Sequence, residues 1–167
     1  MKRIISVIGI LLVLLLLYAC SSQEPLNTIS NELGIDVSNG DEISNMDNHG
    51  GFHGDGTTYI VLSFSDGKVL EQIKEHSQWK AFPLNETVKT LIYGTSDETT
   101  TMGPILTDDE GNALIPEIQR GYYCLIDRQA KSEKATGADI LHRNSFNFTL
   151  GLYDMDTDTL HLCRFDT

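Results

Sequence analysis

A side-chain period of two marks two stretches of the chain as β-strands. In residues 57–64 the side chains of Ile60, Leu62 and Phe64 share one face at a period of two. In residues 145–153 apolar side chains alternate with small or polar ones, which is the pattern of a half-buried strand. We therefore expect a sheet with one face in the core.

Shorter patterns predict two further strands and the turns between them. Residues 122–127 are rich in aromatic and aliphatic side chains, and residues 159–165 return the chain after an aspartate-rich turn at 154–157. Residues 41–64 form a hairpin in this interpretation. Its connection, residues 47–56, holds four glycines in ten residues, which give the backbone unusual freedom.

Apolar residues recur at helical spacing in two segments. Residues 68–79 predict one helix, which Pro83 prevents from continuing. Residues 86–93 predict a second, with Asn85 as its cap and Gly94 at its end. A strand is the alternative for this second segment.

The first twenty residues follow a different pattern. Lys2 and Arg3 precede an unbroken apolar run that ends at Cys20, which is the layout of a secretory signal. Residues 17–20, Leu-Tyr-Ala-Cys, resemble the lipobox of bacterial lipoproteins. The resemblance implies lipid on Cys20, removal of residues 1–19, and a protein anchored in the cell membrane and facing outward. The alternative is an uncleaved transmembrane anchor, for which the run is slightly short.

The element order, a strand, two helices and then several strands, predicts an α+β fold. We expect a single small domain in residues 35–167, with an antiparallel sheet covered by one or two helices. Residues 20–34 would precede it as a lipidated polar tether with a short helical turn that Gly34 ends.

Charge narrows the range of partners. Without residues 1–19 the chain has 167 − 19 = 148 residues and a net charge of 10 − 24 = −14, because the signal holds two basic residues and no acidic one. This charge repels phosphate backbones, so we expect no nucleic-acid partner. It would attract a cationic protein, a basic peptide or a metal ion, although acidity also keeps exported proteins soluble.

Two cysteines remain after Cys20. Cys124 and Cys163 both fall in predicted strands, and an exported location would permit a disulfide. Two buried free thiols are the expectation that we favour over a disulfide. A thiolate and imidazole site that also uses His161 would lack a fourth ligand, so ordinary strand packing is the simpler interpretation.

The most suggestive chemistry lies in the glycine-rich connection. Asp47, His49, His53 and Asp55 would point the same way in an extended segment, because their spacing is even. Imidazole and carboxylate groups suit zinc, manganese or iron, so His49, His53 and Asp55 are candidate metal ligands. A glycine-rich recognition loop and a purely structural connection are the alternatives, and we expect no other cofactor.

The mature chain also resembles small uncharacterised exported proteins of Gram-positive bacteria. The resemblance rests on residues 49–56, on residues 145–149 and on the aspartate-rich hairpin that ends near Leu160. It implies no activity. The chain has neither a P-loop nor a nucleophile elbow.

Three functions are therefore open. The first is a membrane-anchored lipoprotein that binds a ligand or partner without catalysis. The second is a metal-dependent hydrolase that uses His49, His53 and Asp55. The third is an acidic inhibitor or immunity-type protein that occupies a basic toxin or enzyme.

Overall fold

The computed structural model describes residues 23–50, 54–96, 101–129, 140–143, 145 and 147–167. Within them the chain forms three helices, α1–α3, and eight strands, β1–β8. Their order is α1 (Gln23–Leu33), β1 (Asp41–Asp47), β2 (Gly56–Ser63), α2 (Lys68–Glu75), β3 (Lys80–Ala81), α3 (Glu86–Tyr93), β4 (Thr95–Ser96), β5 (Thr101–Met102), β6 (Gly121–Asp127), β7 (Phe148–Asp154) and β8 (Thr159–Asp166).

Six strands form one antiparallel sheet in the order β1-β2-β8-β7-β6-β3. Strands β4 and β5 form a separate two-stranded antiparallel sheet. The last strand, β8, lies between β2 and β7, so the carboxyl-terminal strand is in the middle of the sheet. The predicted α+β class with an antiparallel sheet is confirmed.

Both faces of the sheet are core, so the expectation of a single core face was wrong. On one face the sheet packs against α1, α2 and Trp79. On the other it packs against α3 and the segment that holds Leu106, Ile115 and Ile118. The small residues of the alternation in residues 145–153, Thr149 and Gly151, are buried on the side of α1 and do not face water. A Cβ on Gly151 would lie 2.6 Å from Trp79 Cη2, so the glycine makes room for the indole ring.

Helix α1 replaces the short turn predicted between the tether and the domain. It begins at Gln23, and its side chains Ile29 and Leu33 are fully buried against the sheet. Trp79 Nε1 donates a hydrogen bond of 3.1 Å to the Leu33 carbonyl. Gly34 ends the helix at φ 68°, as predicted. The polar residues Asn27, Thr28 and Asn31 lie on the exposed side of this amphipathic helix.

The other two helices follow the sequence closely. Helix α3 has the predicted bounds, and Asn85 Oδ1 accepts a 2.8 Å hydrogen bond from the Val88 amide as its cap. Helix α2 stops at Glu75, four residues earlier than predicted, because Trp79 turns into the core. No helix in the described part of the chain is long and apolar enough to cross a membrane.

Candidate functional site

The predicted glycine-rich cluster is only partly assembled. Asp47 ends β1 and His49 follows it, whereas Asp55 lies exposed on the returning segment. The Gly50 amide donates a 3.2 Å hydrogen bond to the Asp55 carbonyl, so the two segments pair briefly as a ladder. His53 lies outside the described residues. The structure therefore brings Asp47 and His49 together and keeps the Asp55 carboxylate apart from them.

His49 bridges two carboxylates from opposite ends of the chain. Its Nδ1 lies 2.7 Å from Asp47 Oδ1, and its Nε2 lies 3.3 Å from Asp166 Oδ2 in β8. Gly56, at φ 157°, permits this close approach, because a Cβ there would lie 2.5 Å from the His49 Cα. Partial burial raises the pKa of Asp47, but the hydrogen bonds and the charge of His49 bring it below its usual value.

Asp166 is the centre of a larger group that we call the ionic cluster: Glu32, Asp47, His49, Arg128, Arg164 and Asp166. Arg128 Nη1 lies 2.7 Å and Arg164 Nε 3.2 Å from the Asp166 carboxylate. Burial raises the pKa of Asp166, but the hydrogen bond and charge of Arg128, together with Arg164, lower it by more. The pKa of Asp166 thus lies below its ordinary value.

Glu32 connects the ionic cluster to the helix. Its carboxylate accepts hydrogen bonds from Arg164 Nη1 and from Thr149 Oγ1 in β7. Arg128 also donates to the backbone carbonyls of Phe148 and Phe165, at 3.2 and 2.8 Å. The cluster therefore joins α1 to β7, β8 and the end of β1. Its charged groups form ion pairs with one another.

Metal binding finds little support in this arrangement. Both ring nitrogens of His49 already face carboxylate oxygens. Among the described residues, no three histidine, cysteine or acidic side chains are grouped as a metal site would require. The ionic cluster is best explained as a set of structural contacts that hold α1, β7, β8 and the end of β1 together.

The arginines leave no anion site within the described residues. Arg120 pairs with Asp156 at 2.6 Å, and Arg143 pairs with Asp127 at 2.6 Å. Arg128 and Arg164 belong to the ionic cluster. Every arginine beyond Cys20 therefore has a carboxylate partner.

The two thiols are buried and free, as we expected. Cys124 packs in the core beneath α1, whereas Cys163 packs in the core on the other face. Burial raises the pKa of Cys124 to about 12 and also raises that of Cys163. Since thiolates are the reactive form, neither cysteine is suited to catalysis or metal binding. His161 is engaged elsewhere, with its Nδ1 2.8 Å from the Tyr59 hydroxyl.

The edge strand β1 is largely exposed, and the sequence did not single it out. Six of its seven residues are exposed, and only Met46 is half-buried. Ile43 is 60% exposed and sits where the pairing with β2 shifts register, so it is an extra residue in a bulge. The only signal in the sequence was an apolar residue among acidic and polar neighbours.

An acidic cleft adjoins the start of β1. It has a volume of about 390 Å³ and lies between α1, residues 36–40 and β1. Asn27 and Ser30 line it from the helix, and Asp36 and Glu42 line it from the other sides. In the described part of the chain, no lysine or arginine lies within 4.0 Å of the carboxylates of Asp36, Asp41 or Glu42.

Comparison with known proteins adds no relative. No protein-family model matches the chain, and neither a curated protein nor a solved structure matches it. Any functional conclusion must therefore rest on the chemistry of the chain itself.

Proposed function

We propose that the chain is an exported lipoprotein, held at the outer face of the cell membrane by lipid on Cys20, whose domain binds a cationic partner without catalysis. The observation that carries the proposal is the distribution of charge. Each arginine beyond Cys20 has a carboxylate partner, whereas in the described part of the chain Asp36, Asp41 and Glu42, in and beside β1, have no lysine or arginine partner.

The position of α1 supports a domain that works close to the membrane. Gln23 begins the helix only three residues after Cys20. Even fully extended, three residues reach about 10 Å. A lipid on Cys20 would therefore hold the amino-terminal end of α1 near the bilayer, and the ionic cluster and Trp79 would hold that helix to the sheet.

The burial of both thiols supports a binding role over catalysis. Both thiols have raised pKa values, and His161 and His49 are each held by neighbouring side chains. The exposed residues of β1 are three acidic residues, one isoleucine, Ser44 and Asn45. Such a surface is suited to electrostatic attraction of a partner and to contact with it.

Anchoring is tested by Cys20→Ser, with Cys124→Ala as the matched loss of a thiol elsewhere. We expect the Cys20 variant to lose metabolic lipid labelling and to leave the detergent phase, while the Cys124 variant retains both. If the Cys20 variant still partitions with membranes as the wild type does, an uncleaved apolar anchor explains the attachment instead.

Partner binding is tested in intact cells with a photo-crosslinking residue at position 43, in β1, and at position 89, an exposed site on α3. We expect position 43 to give a specific adduct with a basic protein or peptide, and position 89 to give none. Identical adducts at both positions, or a partner that carries no excess of positive charge, would contradict the proposal.

A further inference from the structure

The outer edge of β1 is an unpaired template for another strand. On its inner side β1 pairs with β2 along its length. On its outer side no described strand pairs with it, and no described loop forms a backbone hydrogen bond to it. Alternate backbone amides and carbonyls of a strand point to its two sides, so a row of donors and acceptors on β1 faces outward. The opposite edge, β3, has only two residues.

The side chains of β1 restrict which strand can add there. Asp41, Glu42 and Asp47 are exposed and of one sign. If a second copy paired antiparallel about Ser44, Asp41 of one copy would face Asp47 of the other, and like charges placed opposite each other are destabilising. Charge repulsion therefore disfavours this pairing of β1 with a second copy. A strand that carries lysine or arginine would instead meet opposite charges.

The acidic cleft gives such a strand a place for its side chains. Glu42 and Asp36 line the cleft beside the strand, and Leu62 supplies an apolar part of its wall. In strand addition, main-chain hydrogen bonds provide affinity and neighbouring pockets select alternate side chains. Ile43, exposed at the bulge, offers an apolar contact next to these carboxylates.

We propose that β1 binds an extended basic segment of a protein partner, which adds to the sheet as a further strand and places a cationic side chain in the acidic cleft. The inference rests on the proposed function and specifies its site. The partner needs a stretch in which lysine or arginine alternates with β-forming residues.

The test uses the full-length protein in a neutral detergent and a short synthetic peptide that alternates lysine and valine. A second peptide has the same sequence with its backbone N-methylated on one edge, which preserves charge and removes strand pairing. We expect the first peptide to bind and to slow hydrogen exchange at the β1 amides, and the N-methylated peptide to do neither. Equal binding of the two peptides would overturn the inference, because charge alone would then explain the interaction.

A pair of variants with equal changes in charge locates the site. Asp41→Lys with Glu42→Lys should weaken binding by at least about tenfold, since it places like charges against the peptide. Glu71→Lys with Glu75→Lys, on the exposed side of α2, should weaken it by less than about threefold through general charge alone. Equal losses in the two variants would contradict a site at β1.

The remaining outcomes separate this inference from the proposed function. Peptide binding that protects another surface would refute the β1 site while a cationic partner remained supported. No peptide binding, together with no basic adduct at position 43, would refute both. Self-association of the wild-type protein through β1, detected by sedimentation, would identify a second copy as the occupant and overturn the inference.

Discussion

Strands β1 and β7 have the same length and opposite surroundings. Each has seven residues, yet six residues of β7 are buried and six of β1 are exposed. Strand β7 pairs with β6 and β8 and has helices over both faces. Strand β1 pairs with β2 alone and extends beyond the layer of helices. Position in the sheet and composition agree here, because the apolar strand lies inside the sheet and the acidic strand lies at its edge.

The difference in burial suggests different roles for the two strands, with β7 contributing to stability and β1 available for binding. In β7 even Thr149 and Gly151 are placed under α1, where the glycine accommodates Trp79 and Leu33. In β1 an isoleucine is left in solvent. Substitutions in β7 should therefore change the free energy of unfolding, whereas those in β1 should change binding and little else.

The largest expected effect is in the middle of the sheet. Phe148→Ala should lower the free energy of unfolding by about 3–5 kcal/mol, because it truncates a fully buried aromatic side chain. Ile43→Ala in β1 is the control and should change it by less than about 0.5 kcal/mol. Urea unfolding measures both, and similar midpoints for the two variants would contradict the contrast between the strands.

The ionic cluster should give the next largest effect. Asp166→Asn should cost about 1.5–3 kcal/mol, because half-buried Arg128 and Arg164 lose a charged partner. Asp41→Asn, in β1 and without an ion pair, should cost almost nothing. Because the folded pKa of Asp166 lies below 3.8, its contribution is present above that pH and is lost as pH falls through the folded value. Acid unfolding that is unchanged in Asp166→Asn would refute this role.

A smaller change in the free energy of unfolding is expected when a buried hydroxyl of β7 is removed than when a charge is removed from the ionic cluster. Thr149→Val keeps the volume of the side chain but removes the hydroxyl that donates to Glu32, and should cost about 1–2 kcal/mol. Ser44→Ala, exposed in β1, should be nearly neutral. If Thr149→Val is as stable as the wild type, the contact between α1 and β7 contributes nothing measurable.

His161 lies in β8, which is between β1 and β7 in the sheet, and it should make the free energy of unfolding modestly dependent on pH. Burial lowers its pKa below 6.5, against the smaller opposite effect of Asp154. The unfolded chain then binds the proton more readily, so stability should fall as pH drops from about 6.5 through the folded pKa. His161→Gln should flatten the unfolding free energy over this range, with measurements near pH 8 reporting the cost of the substitution itself. An unchanged slope would show that His161 does not titrate on unfolding.

The smallest expected effect is that of metal ions at the end of β1. His49 is held by Asp47 and Asp166, so we expect no stoichiometric zinc or manganese in calorimetric titrations of the wild type, and no difference in His49→Ala or His53→Ala. One equivalent bound with micromolar affinity, and lost in either variant, would instead support the metal-dependent hydrolase. It would also make the end of β1 a catalytic region.

Local patterns in the sequence were sufficient for the elements themselves. The strands β2, β6 and β8, the class of the fold and the bounds of α3 were all predictable, because side-chain periodicity, the Asn85 cap and Gly94 act over a few residues. The free thiols followed from their place in apolar strands. The acidic character that underlies the proposed partner is likewise a property of the sequence alone.

Tertiary structure alone decided which faces of the strands are buried and which residues pair with one another. The insertion of β8 between β2 and β7 brings Asp166 to His49, 117 residues away, and Arg164 to Glu32, 132 residues away. No local pattern encodes such contacts, because they depend on the order of strands in the sheet. The same order covers both faces of β7 and leaves β1 at the edge. Strands β1 and β7 therefore differ in exposure because backbone pairing and helix packing surround β7 and leave β1 at the edge.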